Sequence, residues 1–217
     1  MYNFCIKRLL DILIGVLAFP FFFLSLIIFG PIIKATDGGP IFYNAERIGK
    51  NGKLFKMYKF RSMYVNAPDI RLADGSTYNG ADDPRVTKIG KFMRASSIDE
   101  LPQVLNILNG TMSVIGPRPD PPDWLDRYPE NVKVFLSVRP GLTGYNQALY
   151  RNGADGELKM KNDVYYAQHV SFLFDIKIFF MTVLMVLGHG NMYKDLSNEE
   201  EAMKEANSLR KQEQTNG

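Results

Sequence analysis

Ile12–Ile33, ILIGVLAFPFFFLSLIIFGPII, contains no charged side chain. A bilayer core needs roughly 20 apolar residues in a helix, so this run is long enough to cross one. A cleaved signal peptide fits poorly, because the run is too long and no small-residue cleavage pattern follows it. Three readings stay open: a spanning helix, a hairpin that dips into the membrane, or a buried core helix. Lys7 and Arg8 precede the run and Lys34 follows it. Cations favour the cytoplasmic side, so basic residues at both ends favour both ends lying on one face. Pro20 removes a helical hydrogen bond inside the run and favours a break there. Gly30-Pro31 offers a second break near the exit.

A second apolar segment, SFLFDIKIFFMTVLMVLG, spans Ser171–Gly188. Asp175 and Lys177 interrupt its first half, which predicts an interfacial or core-facing amphipathic helix over a second crossing. Beyond it the chain turns polar and reads as a solvated helix fraying into a tail. The 217 residues hold one cysteine and two histidines. That excludes a disulfide framework and argues against a Cys/His zinc site. A net charge of +3 gives no reason to expect a nucleic-acid partner.

Between the apolar ends lies a mixed α/β region. PIFYNAERIG and KLFKMYKFRSM flank the turn KNGK and predict a β-hairpin. Asp69–Arg85 has the Gly, Asp, Asn and Pro content of a surface loop, and VTKIGKFMRAS reads as a helix.

The block SSIDELPQVLNILNGTMSVIGPRP, Ser96–Pro119, carries the chemistry. Leu101, Val104, Leu105 and Leu108 recur at i, i+3, i+4 and i+7, an apolar helical face. Pro102 belongs in its first turn, which places Asp99 and Glu100 at the helix start. Ser97 and Glu100 have capping-box spacing. A helix start favours ionised carboxylates, and the plain reading is that the two acids only cap the helix. Their company argues for more. Prolines 117 and 119 flank Arg118 and stiffen its loop, and Lys59, Arg61, Arg94 and Arg139 add cations. Guanidinium groups grip phosphate oxygens bidentately, while two carboxylates could hold Mg²⁺ or one could attack phosphorus.

KRLLDILIGVL, DGGPIFY, ERIGKNGKLFKMYKFRSM, DPRVTKIGKFMRASSIDELPQVLNILNGTMSVIGPRP, VRPGLTG and DVYYAQHVSFLFDIKI occur in this order. Together they resemble the bacterial sugar transferase family, the monotopic phosphoglycosyl transferases, across residues 6–187. The chain resembles the short form, which starts at the catalytic core. The resemblance implies a helix-rich α/β membrane-associated domain. It would carry an N-terminal re-entrant membrane helix in residues 1–36, a catalytic domain with interfacial helices in 37–190, and a polar tail in 191–217.

It further implies transfer of a sugar-1-phosphate from a UDP-sugar to polyprenol phosphate, usually undecaprenyl phosphate, with release of UMP. The initiated glycan would be assembled at the bacterial inner membrane, with the catalytic domain facing the cytoplasm. By motif match Asp99 is the nucleophile that forms a covalent phospho-sugar, Glu100 its partner, and Mg²⁺ the ion both would hold. Lys59, Arg94, Arg118, Arg139 and Asp163 match as active-site members. Departures exist. The family's helix-breaking Ser-Pro pair would align with Phe23-Leu24, whereas this chain has Pro20 preceded by Phe19. Ala45 replaces a common glutamine, and TGYNQALYRNGADGE departs from the usual pattern after Thr143-Gly144, so the resemblance does not carry the sugar's identity. A membrane-associated phosphoester hydrolase and a non-catalytic membrane scaffold remain the alternatives, and the oligomeric state stays open.

Overall fold

A computed structural model describes residues 2–70, 78, 80, 83–150 and 156–187. After a π-helical turn at Tyr2–Ile6, the apolar run forms helix α1, Lys7–Asp37. Helical conformation continues through Pro20 and Pro31, so neither proline ends the helix. Each proline removes only one backbone bond, and packing along the whole helix holds the rest in place. Lys7, Asp11, Gly15, Phe22, Ser25, Gly30 and Ile33 are buried at helical spacing on one face. Leu9, Leu13, Leu17, Phe21 and Leu24 are exposed on the other. Any Cβ on Gly15 would come within 2.8 Å of Leu108, so glycine permits the close approach of this face to the domain.

Both ends of α1 are fastened to the same body. Near its start, Lys7 Nζ lies 2.6 Å from Asp175 Oδ2, and Tyr2 and Tyr166 also donate to that carboxylate. Arg8 donates to the carbonyls of Ile107 and Leu108, and Asp11 Oδ1 accepts from Ser113 Oγ and the Val114 amide. At its far end Asp37 takes a bidentate grip from Arg61, at 2.6 and 2.7 Å. Buried ionic contacts of this kind specify geometry more than they add net stability.

The expected hairpin forms. Strands β1, Phe42–Ile48, and β2, Leu54–Phe60, pair antiparallel with Ile48 opposite Leu54. Asn51 in the connecting turn adopts φ 56°, a conformation that asparagine tolerates. Helix α2, Lys88–Ala95, follows, with Thr87 capping the Gly90 amide. A Cβ on Gly90 would sit 1.9 Å from the Ser62 carbonyl, so α2 can lie directly on the segment after β2.

The apolar stripe of Leu101, Val104, Leu105 and Leu108 is split between a 3₁₀ segment, Ile98–Gln103, and helix α3, Val104–Asn109. Pro102 lies inside the tighter segment, and Ser97 stands at φ 58° with no side-chain cap, so the Ser97–Glu100 capping box does not form. Strands β3, Ser113–Ile115, and β4, Gly141–Thr143, pair in parallel. Helices α4, Tyr145–Tyr150, α5, Gly156–Gln168, and α6, Phe172–Leu187, complete the described chain.

Phe22, Ile33, Phe60, Met93 and Val104 pack α1 against β2, α2 and α3. A second cluster, with Met57, Ile107, Met112, Ile115, Tyr166 and Ile178, seats α6 on the β3–β4 pair. Burying each large side chain contributes about 1.5–3 kcal/mol. Asp175 turns inward from α6, leaving Leu173, Phe180 and Leu184 exposed. Most of the expected Asp69–Arg85 loop, the boundary at 190 and the tail beyond it lie outside the described residues.

Candidate active site

Asp99 and Glu100 occupy the first turn of the 3₁₀ segment, and Asp99 is buried. One buried side chain ties the helix that follows them to the edge of β2. Asn106 on α3, 1% exposed, accepts from the Tyr58 amide at 2.9 Å and donates to the Lys56 carbonyl at 2.8 Å. It thus acts as a surrogate strand edge and brings Lys59 over the two acids. Lys59 Nζ lies 2.9 Å from Glu100 Oε1 and 3.4 Å from Asp99 Oδ2.

Arg118 reaches the same Glu100 oxygen at 2.8 Å. Its loop is stitched to β4, since Gly116 donates to Thr143 and Gly141 donates to Pro117. Arg94 approaches from the last turn of α2, where Ser62 Oγ accepts from its Nε at 3.0 Å, and its charge acts on Asp99.

The two acids are not electrostatic equals. Burial pushes the Asp99 carboxyl up, reinforced by the Glu100 charge and only partly offset by Lys59 and Arg94. The direction is opposite to the one a helix start alone would give, because a single short turn does not outweigh desolvation. For Glu100 burial also opposes ionisation, but Arg118 and Lys59 outweigh it and hold the carboxyl well below the usual range. The pair therefore combines one firmly ionised acid with one of raised basicity.

The dyad, Lys59, Arg94 and Arg118 line a cleft of about 1220 Å³. On one side of it stands a second charged cluster. Lys159 Nζ lies 2.7 Å from Asp120 Oδ2 and 2.9 Å from Asp163 Oδ2, and Tyr128 donates to Asp120 at 2.6 Å. Burial pushes the Asp163 carboxyl up to about 6 despite Lys159. Asp163 is fully buried and meets the cleft through Lys159, which lines it with Asp120 and Tyr128. The i, i+4 spacing of Lys159 and Asp163 on α5 is visible in the sequence; that Asp120 joins them is not, being set by the chain's return path.

Two of the cations are bonded away from the dyad. Arg61 lines the same cleft but is 6% exposed, and its guanidinium bonds Asp37 and the carbonyls of Ile33, Pro40 and Met63, clasping α1. Arg139 donates Nε to the Gly110 carbonyl, just past the C-terminus of α3, and is bonded there instead of to the dyad. The direction of each depends on tertiary partners that the sequence does not show.

Among the described residues no three His, Cys, Asp or Glu side chains gather into a closed metal cage. The donor set nevertheless suits Mg²⁺, which is commonly held by one or two carboxylates together with substrate phosphates and water. The ion pairs with Lys59 and Arg118 engage Asp99 Oδ2 and Glu100 Oε1, leaving Oδ1 and Oε2 outside those contacts.

Residues 2–189 match the family described as bacterial sugar transferase. The chain is 37% identical over 205 residues to the undecaprenyl-phosphate galactose phosphotransferase of Salmonella typhimurium, covering 87% of this chain and 42% of that protein. It is 36% identical over 188 residues to the UDP-N-acetylgalactosamine-undecaprenyl-phosphate N-acetylgalactosaminephosphotransferase of Aeromonas hydrophila, covering 84% and 44% respectively. It is 41% identical over 193 residues to the exopolysaccharide production protein ExoY of Sinorhizobium fredii, covering 82% and 83%. The chain thus spans well under half the length of several curated relatives and most of the length of another.

Proposed function

Because this chain belongs to the bacterial sugar transferase family, we propose that it moves a sugar-1-phosphate from a UDP-sugar to a polyprenol phosphate and releases UMP. The observation that carries this reading is the buried Asp99, beside an ionised Glu100 and under Lys59 and Arg118, at the wall of one large cleft. Relatives named for undecaprenyl-phosphate sugar phosphotransfer support the substrate classes.

A carboxylate oxygen of Asp99 attacks the phosphorus that bears the sugar. A bond from that oxygen to phosphorus forms, the bridging phosphoanhydride bond breaks, and UMP leaves with the bridging oxygen. An oxygen of the polyprenol phosphate then attacks the same phosphorus and returns the carboxylate. Attack of an anion on a diphosphate meets like-charge repulsion of several kcal/mol in a poorly solvated site. Lys59, Arg94 and Arg118 offset it by facing the phosphate oxygens. Glu100 holds Lys59 and Arg118 in place while remaining charged itself. Mg²⁺ bound beside the dyad would add further neutralisation of the diphosphate.

The fastening of α1 supports the membrane reading. By length and composition it could cross a bilayer, yet both ends are locked to one domain, through Lys7, Arg8 and Asp11 at one end and Asp37 at the other. A crossing helix would place those ends on opposite sides. This supports a helix held on one side of the bacterial inner membrane, the cytoplasmic side in this reading, with its exposed apolar face toward lipid. The outward face of α6 lies at the same boundary.

Membranes carrying the protein, incubated with a panel of UDP-sugars, Mg²⁺ and polyprenol phosphate, should release UMP with one or a few sugars and form a lipid diphosphate-sugar. Hydrolysis to free sugar phosphate regardless of acceptor would replace this reading with a hydrolase, and absence of turnover with every sugar would replace it with a scaffold.

A further inference from the structure

Resting on the reading above, we infer that Asp120, Trp124 and Lys159 form the seat for the sugar ring of the donor, with Asp120 accepting from its hydroxyl groups. All three line the cleft that holds the dyad, together with Gly156 at the start of α5. Asp120 follows Arg118 by two residues, a reach of about 7 Å in extended chain. The Glu100 charge acts most strongly on the Arg118 guanidinium, and the Asp120 charge acts on it too. In the proposed reaction Arg118 faces the phosphate under attack. The sugar hangs from that phosphorus through one oxygen, whereas the ribose lies beyond the second phosphate. The part of the donor one step from Arg118 is therefore the sugar ring.

The chemistry of the seat suits a neutral polyol. A carboxylate repels the diphosphate and the carbonyl oxygens of a uracil ring, but it accepts from hydroxyl groups. Asp120 is held ready to do so. Its Oδ2 accepts from Tyr128 at 2.6 Å and from Lys159 at 2.7 Å, and its carbonyl accepts from the Ile48 amide at 2.9 Å. Those side-chain bonds fall on one oxygen, so Oδ1 stands outside them. Lys159 divides two of its donors between Asp120 and Asp163, and an ammonium carries a third for a sugar oxygen. Trp124 has its ring 6.3 Å from that of Tyr128 and the Arg127 guanidinium 5.9 Å from its centroid. So braced, it offers a flat apolar surface to the C–H face of a sugar. Gly156 leaves the space beside it open, since a Cβ there would lie 4.0 Å from Trp124 Cη2. At about 1220 Å³ the cleft also has room for the nucleoside, along Tyr64, Asn66 and Asp69.

Binding and turnover test the seat separately. In an Asp99→Asn background, which stops consumption of the donor, calorimetry gives Kd for the preferred UDP-sugar and for UDP, which lacks the sugar ring. Adding Asp120→Asn should weaken the UDP-sugar about tenfold, or about 1.4 kcal/mol, and UDP by no more than about twofold. With Asp99 intact, Asp120→Asn should also flatten the ranking of UDP-sugars that differ at one hydroxyl, read as kcat/KM for UMP release. Gly156→Leu fills the space beside Trp124 and should give the same split between UDP-sugar and UDP. It serves if Asp120→Asn misfolds, with retained UDP binding reporting the fold. Equal weakening of UDP and UDP-sugar would overturn the inference and give the seat to the nucleoside or the diphosphate. Unchanged affinity and ranking in both variants would overturn it as well, leaving Asp120 a fastener of the Arg118 loop. Wild-type protein that binds UDP-sugars and releases no UMP from any of them would instead overturn the proposed function.

Discussion

Lys59 and Arg61 stand two residues apart, and each faces an aspartate, yet the two pairs do opposite work. Asp37 takes two short bonds from Arg61 and one each from the Val65 and Gly39 amides. The Arg61 hydrogen bonds foremost lower its carboxyl to about 2. Asp99 has one long contact, 3.4 Å from Lys59, and its carboxyl is pushed up by burial. A carboxylate whose acceptor sites are filled is a fastener. One that is buried, ionisable and sparsely bonded keeps lone pairs for an incoming electrophile.

Neutralising each aspartate breaks the comparison most sharply. Asp99→Asn should abolish turnover, at least a thousandfold in UMP release, while its thermal unfolding stays close to the wild type. Residual activity near the wild-type rate would make Asp99 a helix cap after all. Arg118→Ala should slow the same assay by about 10²–10³, the usual loss when one donor to a developing phosphate charge is removed. An unchanged rate would leave Arg118 as a partner of Glu100 alone.

The acid side of the pH profile sharpens the contrast. Attack needs ionised Asp99, and its carboxyl is raised above the ordinary 3.8, so activity should begin to fall at a pH above that value as acid is added. A limb at or below it would mean that Lys59 and Arg94 outweigh burial. Asp37→Asn should be the mildest change, about 1–2 kcal/mol of stability seen as a lower Tm, with UMP exchange retained. The folded carboxyl is depressed, so its contribution is present above pH 3.8 and lost as pH falls through about 2. The gap between variant and wild type should therefore narrow over that window.

How far the sequence could be read follows the same division. Periodicity and turn chemistry locate the long apolar helix, the β1–β2 hairpin, α2 and the dyad's helix start, because each depends on local spacing. The direction of Arg61, Arg139 and Asp175 was not legible, since each is decided by a partner far along the chain: Asp37, Gly110 and Lys7. Pro20 predicts a break by intrinsic propensity, and packing along the buried face of α1 overrides it. The inverted electrostatics of Asp99 also needed the fold, because desolvation is a property of the surroundings and a residue's neighbours in sequence do not reveal it. Lys159 escapes the sequence for a different reason. Its spacing to Asp163 was visible, but nothing local showed that Asp120 would join them at the cleft.

The central claim is that Asp99 carries the sugar phosphate between donor and acceptor. Rapid quenching after mixing the protein with its UDP-sugar and Mg²⁺, without lipid acceptor, followed by mass spectrometry of its peptides, tests it directly. The account predicts one sugar-phosphate on the peptide containing Asp99, with one UMP released per modified chain and neither seen in Asp99→Asn. A sugar-phosphate on any other side chain, or UMP release that waits for the acceptor, would contradict it.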